Sequence, residues 1–143
     1  MAVYDHKQSI LRLSGYEITA FSDAGDSLSI VEAADAGAYT WGTNGGVFVA
    51  SGNEGLILTI QLLQHSADNA YLSALRNQQK GNIKSFVPFE MFFKDTLNGD
   101  EAVASSGFFT TAKTMARGNA HNSETWVIAF RTGRIKQAPG VHN

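Results

Sequence analysis

The sequence predicts a mainly β protein: a β-barrel or sandwich of about eight or nine strands with one α-helix and one protruding hairpin. Three observations carry this. Residues 56–63 place Leu56, Leu58, Ile60 and Leu62 on one face and Ile57, Thr59, Gln61 and Leu63 on the other, the period-two signature of a long strand. Directly before it, residues 41–53 are rich in Gly and Asn and carry aromatics with little nearby to pack against. One stretch alone, about 66–80, has helical patterning.

In chain order, residues 7–13 alternate, with Ser9, Leu11 and Leu13 on one side. Ser14-Gly15 is a tight turn into a second alternating run, 16–21. Residues 22–26 contain Gly and two Asp and read as a loop. A third strand follows at 28–33. Within about 37–55, Tyr39-Thr-Trp41 and Val47-Phe-Val49 flank the turn signal Asn44-Gly-Gly46, which gives the hairpin with its tip at 43–46. After the 56–63 strand, Ser66 is an N-cap and Asp68 suits the helix dipole. Ala67, Ala70, Tyr71, Ala74 and Leu75 form the helical stripe, and Gly81 sits where a left-handed C-terminal residue belongs. Residues 86–94 are an aromatic strand that Pro88 marks as an edge or a strand start. Asn98-Gly99 turns the chain into a return strand at 101–105. Residues 107–113 are a further strand, 117–123 a polar loop, and 124–131 a second strong strand with Trp126, Ile128 and Phe130 on one face. Gly133 allows a bend before 134–137, and the tail from Pro139 is irregular.

A chain of 143 residues fits a single domain, 1–143, with a core large enough to need no staple. The absence of Cys excludes disulfides, thiolate nucleophiles and thiolate metal sites. No apolar run approaches a membrane span, so the monomer is not expected to insert in a membrane, and the first residues lack a signal-peptide core, which points to the cytosol. Charged residues are only 17% of the chain, which leaves uncharged surface suited to burial against other subunits. Residues 1–65 hold seven acids and two bases, and residues 66–143 six acids and nine bases, so the halves carry −5 and +3. On charge alone chance scatter is the simpler reading of this asymmetry; the sharper one is a subunit with an acidic and a basic surface suited to head-to-tail contact.

No enzyme signature stands out. Of His6, His65, His121 and His142, His121 lies near a carboxylate, Glu124, at a metal-ligand spacing, and it falls in a loop where a solvated His is the simpler reading. There is no Gly-x-Ser-x-Gly element, and the paired acids Asp100-Glu101 and Asp23 with Asp26 lie in turns. Gly42-Thr-Asn-Gly-Gly46 lacks both the Lys-Ser/Thr and the helix of a phosphate loop. No catalytic, metal or cofactor site is predicted. The bases are dispersed and the net charge is negative, which fits no sequence-specific nucleic-acid reader; a surface past which DNA merely slides would be neutral or acidic. Tyr39, Trp41 and Phe48 on the hairpin either fold back onto their own core or, with Asn44 and Val47, are candidates for contact with another subunit.

The opening Val3-Tyr-Asp-His-Lys-Gln8, residues 15–21, 35–46 and 51–64, and the helix Ser66-Ala-Asp-Asn-Ala-Tyr-Leu-Ser-Ala-Leu75 together resemble tail tube proteins of contractile-tailed bacteriophages. Glu124-Thr-Trp126 at the start of the last long strand adds to the likeness, which covers nearly the whole chain. The resemblance implies a structural virion protein whose hexameric rings stack head to tail into a hollow tube. It implies a long hairpin that reaches the neighbouring ring and a lumen through which DNA is ejected into the host. Sheath, baseplate and tape-measure proteins would be partners, and assembly would occur in the host bacterial cytoplasm. The fold would extend to the tube proteins of type VI secretion. Residues 42–53 are more neutral than this loop in such relatives, which argues against a salt bridge between rings there. Glu17, Asp26 and Glu32 are the lumen-facing candidates, since they lie on or beside early alternating strands. The competing reading is a monomeric β-barrel that binds a small apolar ligand against the aromatic segment 86–93.

Overall fold

The computed structural model describes residues 9–22, 27–115, 118 and 123–138. Asp26, His6, His121 and His142 lie outside the described residues, as does most of the 117–123 loop. The described residues form nine strands and one helix: β1 (Ser9–Leu13), β2 (Tyr16–Ile18), β3 (Leu28–Glu32), β4 (Gly37–Gly42), β5 (Gly45–Ala50), β6 (Leu56–Leu63), α1 (Ala67–Gly81), β7 (Phe89–Asp95), β8 (Glu101–Phe109) and β9 (Ser123–Lys136). Seven strands build one antiparallel sheet in the order β2-β1-β7-β8-β9-β6-β3, while β4 and β5 pair only with each other.

The sheet is not a closed barrel. Its two edge strands, β2 and β3, are instead linked by a chain segment that leaves β2 and runs along β6. Phe21 bridges to Leu62, Leu63 N–H donates to Ala20 O (2.7 Å), and Ser22 N–H donates to Gln61 O (2.9 Å). Chain crossing from one edge to the other thus does part of the work of closure.

The period-two patterns deliver the core. Leu11, Leu13, Leu58, Ile60, Leu62 and Ile128 are almost wholly buried on the inner face, with Phe89, Met91, Trp126 and Phe130 beside them. Phe86, Phe89, Phe108 and Phe109 meet one another at ring separations of 5.1–5.8 Å together with the tilted Phe109–Trp126 pair at 5.9 Å. The aromatic segment proposed for a ligand pocket therefore contributes Phe86 and Phe89 to the core itself.

Turn chemistry sets the hairpins. Ser14 and Gly15 both have positive φ (51° and 86°), the geometry a two-residue turn between β1 and β2 requires. Asp95 caps the longer β7–β8 turn, its carboxylate accepting from the N–H groups of Leu97 and Asn98. Pro88 stands just before β7, at the strand start.

Several boundaries differ from expectation. The sequence divides 101–105 and 107–113 into separate strands, but β8 runs unbroken from Glu101 through Phe109. Ser106 takes a positive φ of 58° at a bulge opposite Phe89–Met91, so the ladder continues across what looks like a Ser-Ser-Gly loop. Gly133 does not break β9. It lies where a Cβ would come within 2.4 Å of Leu56 Cδ1, so its role is close packing. Gly81 remains inside α1, and the helix ends at an extended Asn82 rather than at a left-handed glycine.

Helix α1 is capped as the sequence indicates: Asn69 N–H donates to Ser66 Oγ (3.4 Å). Asp68 does more than favour the dipole. It is buried, and its carboxylate accepts from Tyr16 Oη and from the N–H groups of Thr19 and Ala20, each at 2.9 Å. Tyr71 stacks on Tyr16 with ring centroids 4.0 Å apart. The Gln79 amide both donates to Phe109 O and accepts from Phe109 N–H, so it acts as a short strand partner for the end of β8. Asn69 accepts from Trp126 Nε1 (2.9 Å). Lys113 pairs with the buried Glu124 and stands 4.7 Å over the Trp126 ring, which ties the chain after β8 back to the start of β9.

Candidate assembly arm

The β4–β5 hairpin leaves the body between the ends of β3 and β6. Its root is fixed by Ala33 N–H donating to Gly55 O (2.9 Å) and Ser51 N–H donating to Ala36 O (2.7 Å). Asn53 Oδ1 accepts from Gly55 N–H, and Ser51 Oγ accepts from Asn53 N–H, so the return chain carries its own turn. The strands then pair from Gly37↔Ala50 to Gly42↔Gly45 around a two-residue tip, Thr43-Asn44, shorter than the 43–46 expected.

The register sorts the side chains. Tyr39, Trp41 and Phe48 share one face; Val47 and Val49 share the other. Tyr39 and Trp41 rings are stacked 5.1 Å apart, and Phe48 meets Tyr39 edge-on at 5.5 Å. Two glycines make room for them: a Cβ on Gly46 would lie 2.7 Å from the Trp41 ring, and one on Gly37 would lie 2.5 Å from the Phe48 ring. The aromatics cover the glycines and stiffen a Gly-rich ribbon. They point neither into their own core nor apart from one another.

Every residue from 38 to 54 is exposed. Trp41 is 75% exposed and Val47 67%. No charged residue occurs between Gly37 and Asn53. A two-stranded ribbon with apolar side chains on both faces is marginal in water and needs a surface to lie against. The five hairpin candidates thus occupy three places: Tyr39, Trp41 and Phe48 on the aromatic face, Val47 on the aliphatic face, and Asn44 at the tip. Val49, which is not among the five, shares the aliphatic face with Val47, and its alternation with Phe48 carries the signal.

The lumen candidates are not brought together. Glu17 lies on the outer face of edge strand β2, in register with Arg12, and Glu32 ends the opposite edge strand, β3. Among the described residues, no group of three or more His, Asp or Glu could hold a metal ion, and no helix is long and apolar enough to cross a membrane.

No curated protein matches the sequence. Among solved structures, the chain is similar to the anti-feeding prophage cap, a tube-terminating cap. The TM-score is 0.56 at 12% identity, over 96% of this chain and 95% of that one. At this identity the likeness speaks for the fold alone. Residues 10–140 match the family of the bacteriophage PhiTE tail tube protein. That match spans the sheet, the helix and the arm, so the chain belongs to this structural, non-enzymatic family and is a component of a phage virion tail.

Proposed function

We propose that this chain is the repeating subunit of a hollow tail tube. Copies close into hexameric rings, and the rings stack head to tail inside a contractile sheath. DNA leaves through the lumen into the host. The observation that supports this most is the arm, an uncharged ribbon exposed on both faces and anchored at its root. A second copy of the same chain is the partner that a stacking polymer always supplies. Contact between an arm on one end of the subunit and a different surface on the next is heterologous, and such contacts propagate rather than close. Assembly takes place in the host cytoplasm, with sheath, baseplate and tape-measure proteins as the other partners.

The test is to replace residues 39–48 by an Asn-Gly turn and compare the product with the parent. Circular dichroism and melting temperature should be preserved, because the arm forms its own sheet. Negative-stain micrographs should show tubes for the parent and only rings or free subunits for the variant. Tubes forming equally well without the arm would refute its role. A parent that gives only small monodisperse particles under all conditions would refute the assembly reading.

A further inference from the structure

The outer face of the seven-stranded sheet divides into two halves of different chemistry. On β1, β7, β8 and the C-terminal part of β9 it is charged. Arg12 stands opposite Glu17, Arg134 stands opposite Val103, and Lys94, Glu101 and Lys136 form one cross-strand row. On β3, β6 and the N-terminal part of β9 it is uncharged. Ser29, Thr59 and Val127 form one row, Val31, Ile57 and Ala129 the next, and Gln61 stands opposite Thr125. These residues alternate with the buried Leu58, Ile60 and Ile128 and so point away from the core. The first cation on that face of β9 is Arg131, one outward position beyond Ala129, at the arm end of the strand.

We infer that this uncharged face lines the bore of the tube and is the surface past which the DNA backbone slides. The inference rests on the reading above that stacked rings enclose a channel for DNA. Duplex DNA binds wherever Lys and Arg can neutralise its phosphates and release counterions, and affinity grows steeply with each such contact. The charged half of the sheet carries Arg12, Lys94, Arg134 and Lys136 among the acids Glu17, Glu90 and Glu101, so it offers phosphates cationic contacts that the β3–β6–β9 half lacks. The β3–β6–β9 half offers hydroxyls, an amide and short aliphatic groups, which can hydrogen-bond a phosphate but neutralise none and release no counterions. The arm supplies a second reason. It springs from the ends of β3 and β6, so the strands that carry it towards the neighbouring ring present their outer face continuously in that direction. The wall is then neutral, and neither Glu17, opposite Arg12, nor Glu32, at the end of β3, is needed to form it.

The chain has no Cys, so single cysteines report position cleanly. Thr59→Cys, with Thr125→Cys as a second variant, is labelled in free subunits and in assembled tubes. Two reagents are used: a small maleimide and a maleimide carried on a globular protein too large to enter the bore. Both should label the free subunit. In tubes, only the small one should react. Reaction with both would place the face on the outside of the tube, and protection from both would bury it between copies; either result overturns the inference while leaving the tube reading intact. Failure of the unmodified chain to form tubes would instead overturn that reading. Tubes of Thr59→Lys should retain short duplex DNA that the parent releases. With about six phosphate contacts per ring, retention should fall roughly 1000-fold between about 50 and 200 mM salt. Thr59→Lys tubes that retain no DNA would also overturn the inference.

Discussion

Trp41→Ala separates assembly from folding. Trp41 is 75% exposed, and a Trp side chain presents about 250 Å² at most, so roughly 190 Å² is available to a neighbouring copy. At about 25 cal/mol per Å², complete coverage would be worth ~5 kcal/mol. Ordering costs and incomplete coverage reduce such central aromatic contacts to about 2–4 kcal/mol. With 1.4 kcal/mol per factor of ten, the critical concentration for tube growth should rise about 30- to 700-fold. Within the free subunit Trp41 stacks on Tyr39 and covers Gly46, both in the arm, so unfolding free energy should change by less than about 0.5 kcal/mol. Sedimentation of tubes across a dilution series reads the first quantity, and urea unfolding of the free subunit reads the second. A critical concentration unchanged in a folded Trp41→Ala protein would refute the docking role of the aromatic face. A large loss of subunit stability would show that the ring belongs to the fold instead.

Three further predictions concern the body. Asp68→Ala removes the acceptor of three hydrogen bonds and strands the N–H groups of Thr19 and Ala20; it should cost about 3–5 kcal/mol in urea unfolding, with Asp68→Asn between it and the parent. The hydrogen bond to Asp68 raises the Tyr16 pKa above its ordinary value of 10.0, with burial and the nearby Asp68 charge acting in the same direction, and burial raises Tyr71 as well. The unfolded chain therefore ionises first: this contribution is complete below pH 10 and is lost as pH rises through the folded-state values, so stability should fall in the alkaline range, less steeply for Tyr16→Phe. Gly133→Ala places a Cβ 2.4 Å from Leu56 Cδ1 and 3.0 Å from Ala104 Cβ in a filled core, and should cost about 1–3 kcal/mol by thermal or urea unfolding.

What the sequence could reveal follows from how local each cause is. The 56–63 alternation, the Ser14-Gly15 turn and the Ser66 cap depend on neighbours in sequence, and each appears in place. The arm was legible for the same reason: two β-prone triplets flank a turn, and the absence of charge marks them as unusual. The continuity of β8 through Ser106 was not legible, because the partners that hold it extended are Phe89 on β7 and Phe130 on β9. The bridge from Phe21 to Leu62 joins segments far apart in sequence and leaves no local trace. Asp68 satisfies a local rule about helix dipoles, yet its tertiary partners lie near residues 16–20. The uncharged half of the outer face emerges only when three strands are laid side by side. Alternation identifies outward residues on each strand, but not which strands are neighbours.

The position of β9 also governs when the subunit becomes competent. Four strands, β2-β1-β7-β8, lie to one side of it and β6-β3 to the other, and β9 joins the two blocks. It is also the last strand in chain order. During synthesis the arm is translated early and pairs through local contacts, which form quickly. The sheet cannot be completed until residues 123–136 are available to pair with β8 on one side and β6 on the other. If copies stack through their arms as proposed, a partly synthesised chain would carry an arm before the sheet that β9 completes, and stacking would follow completion of the subunit.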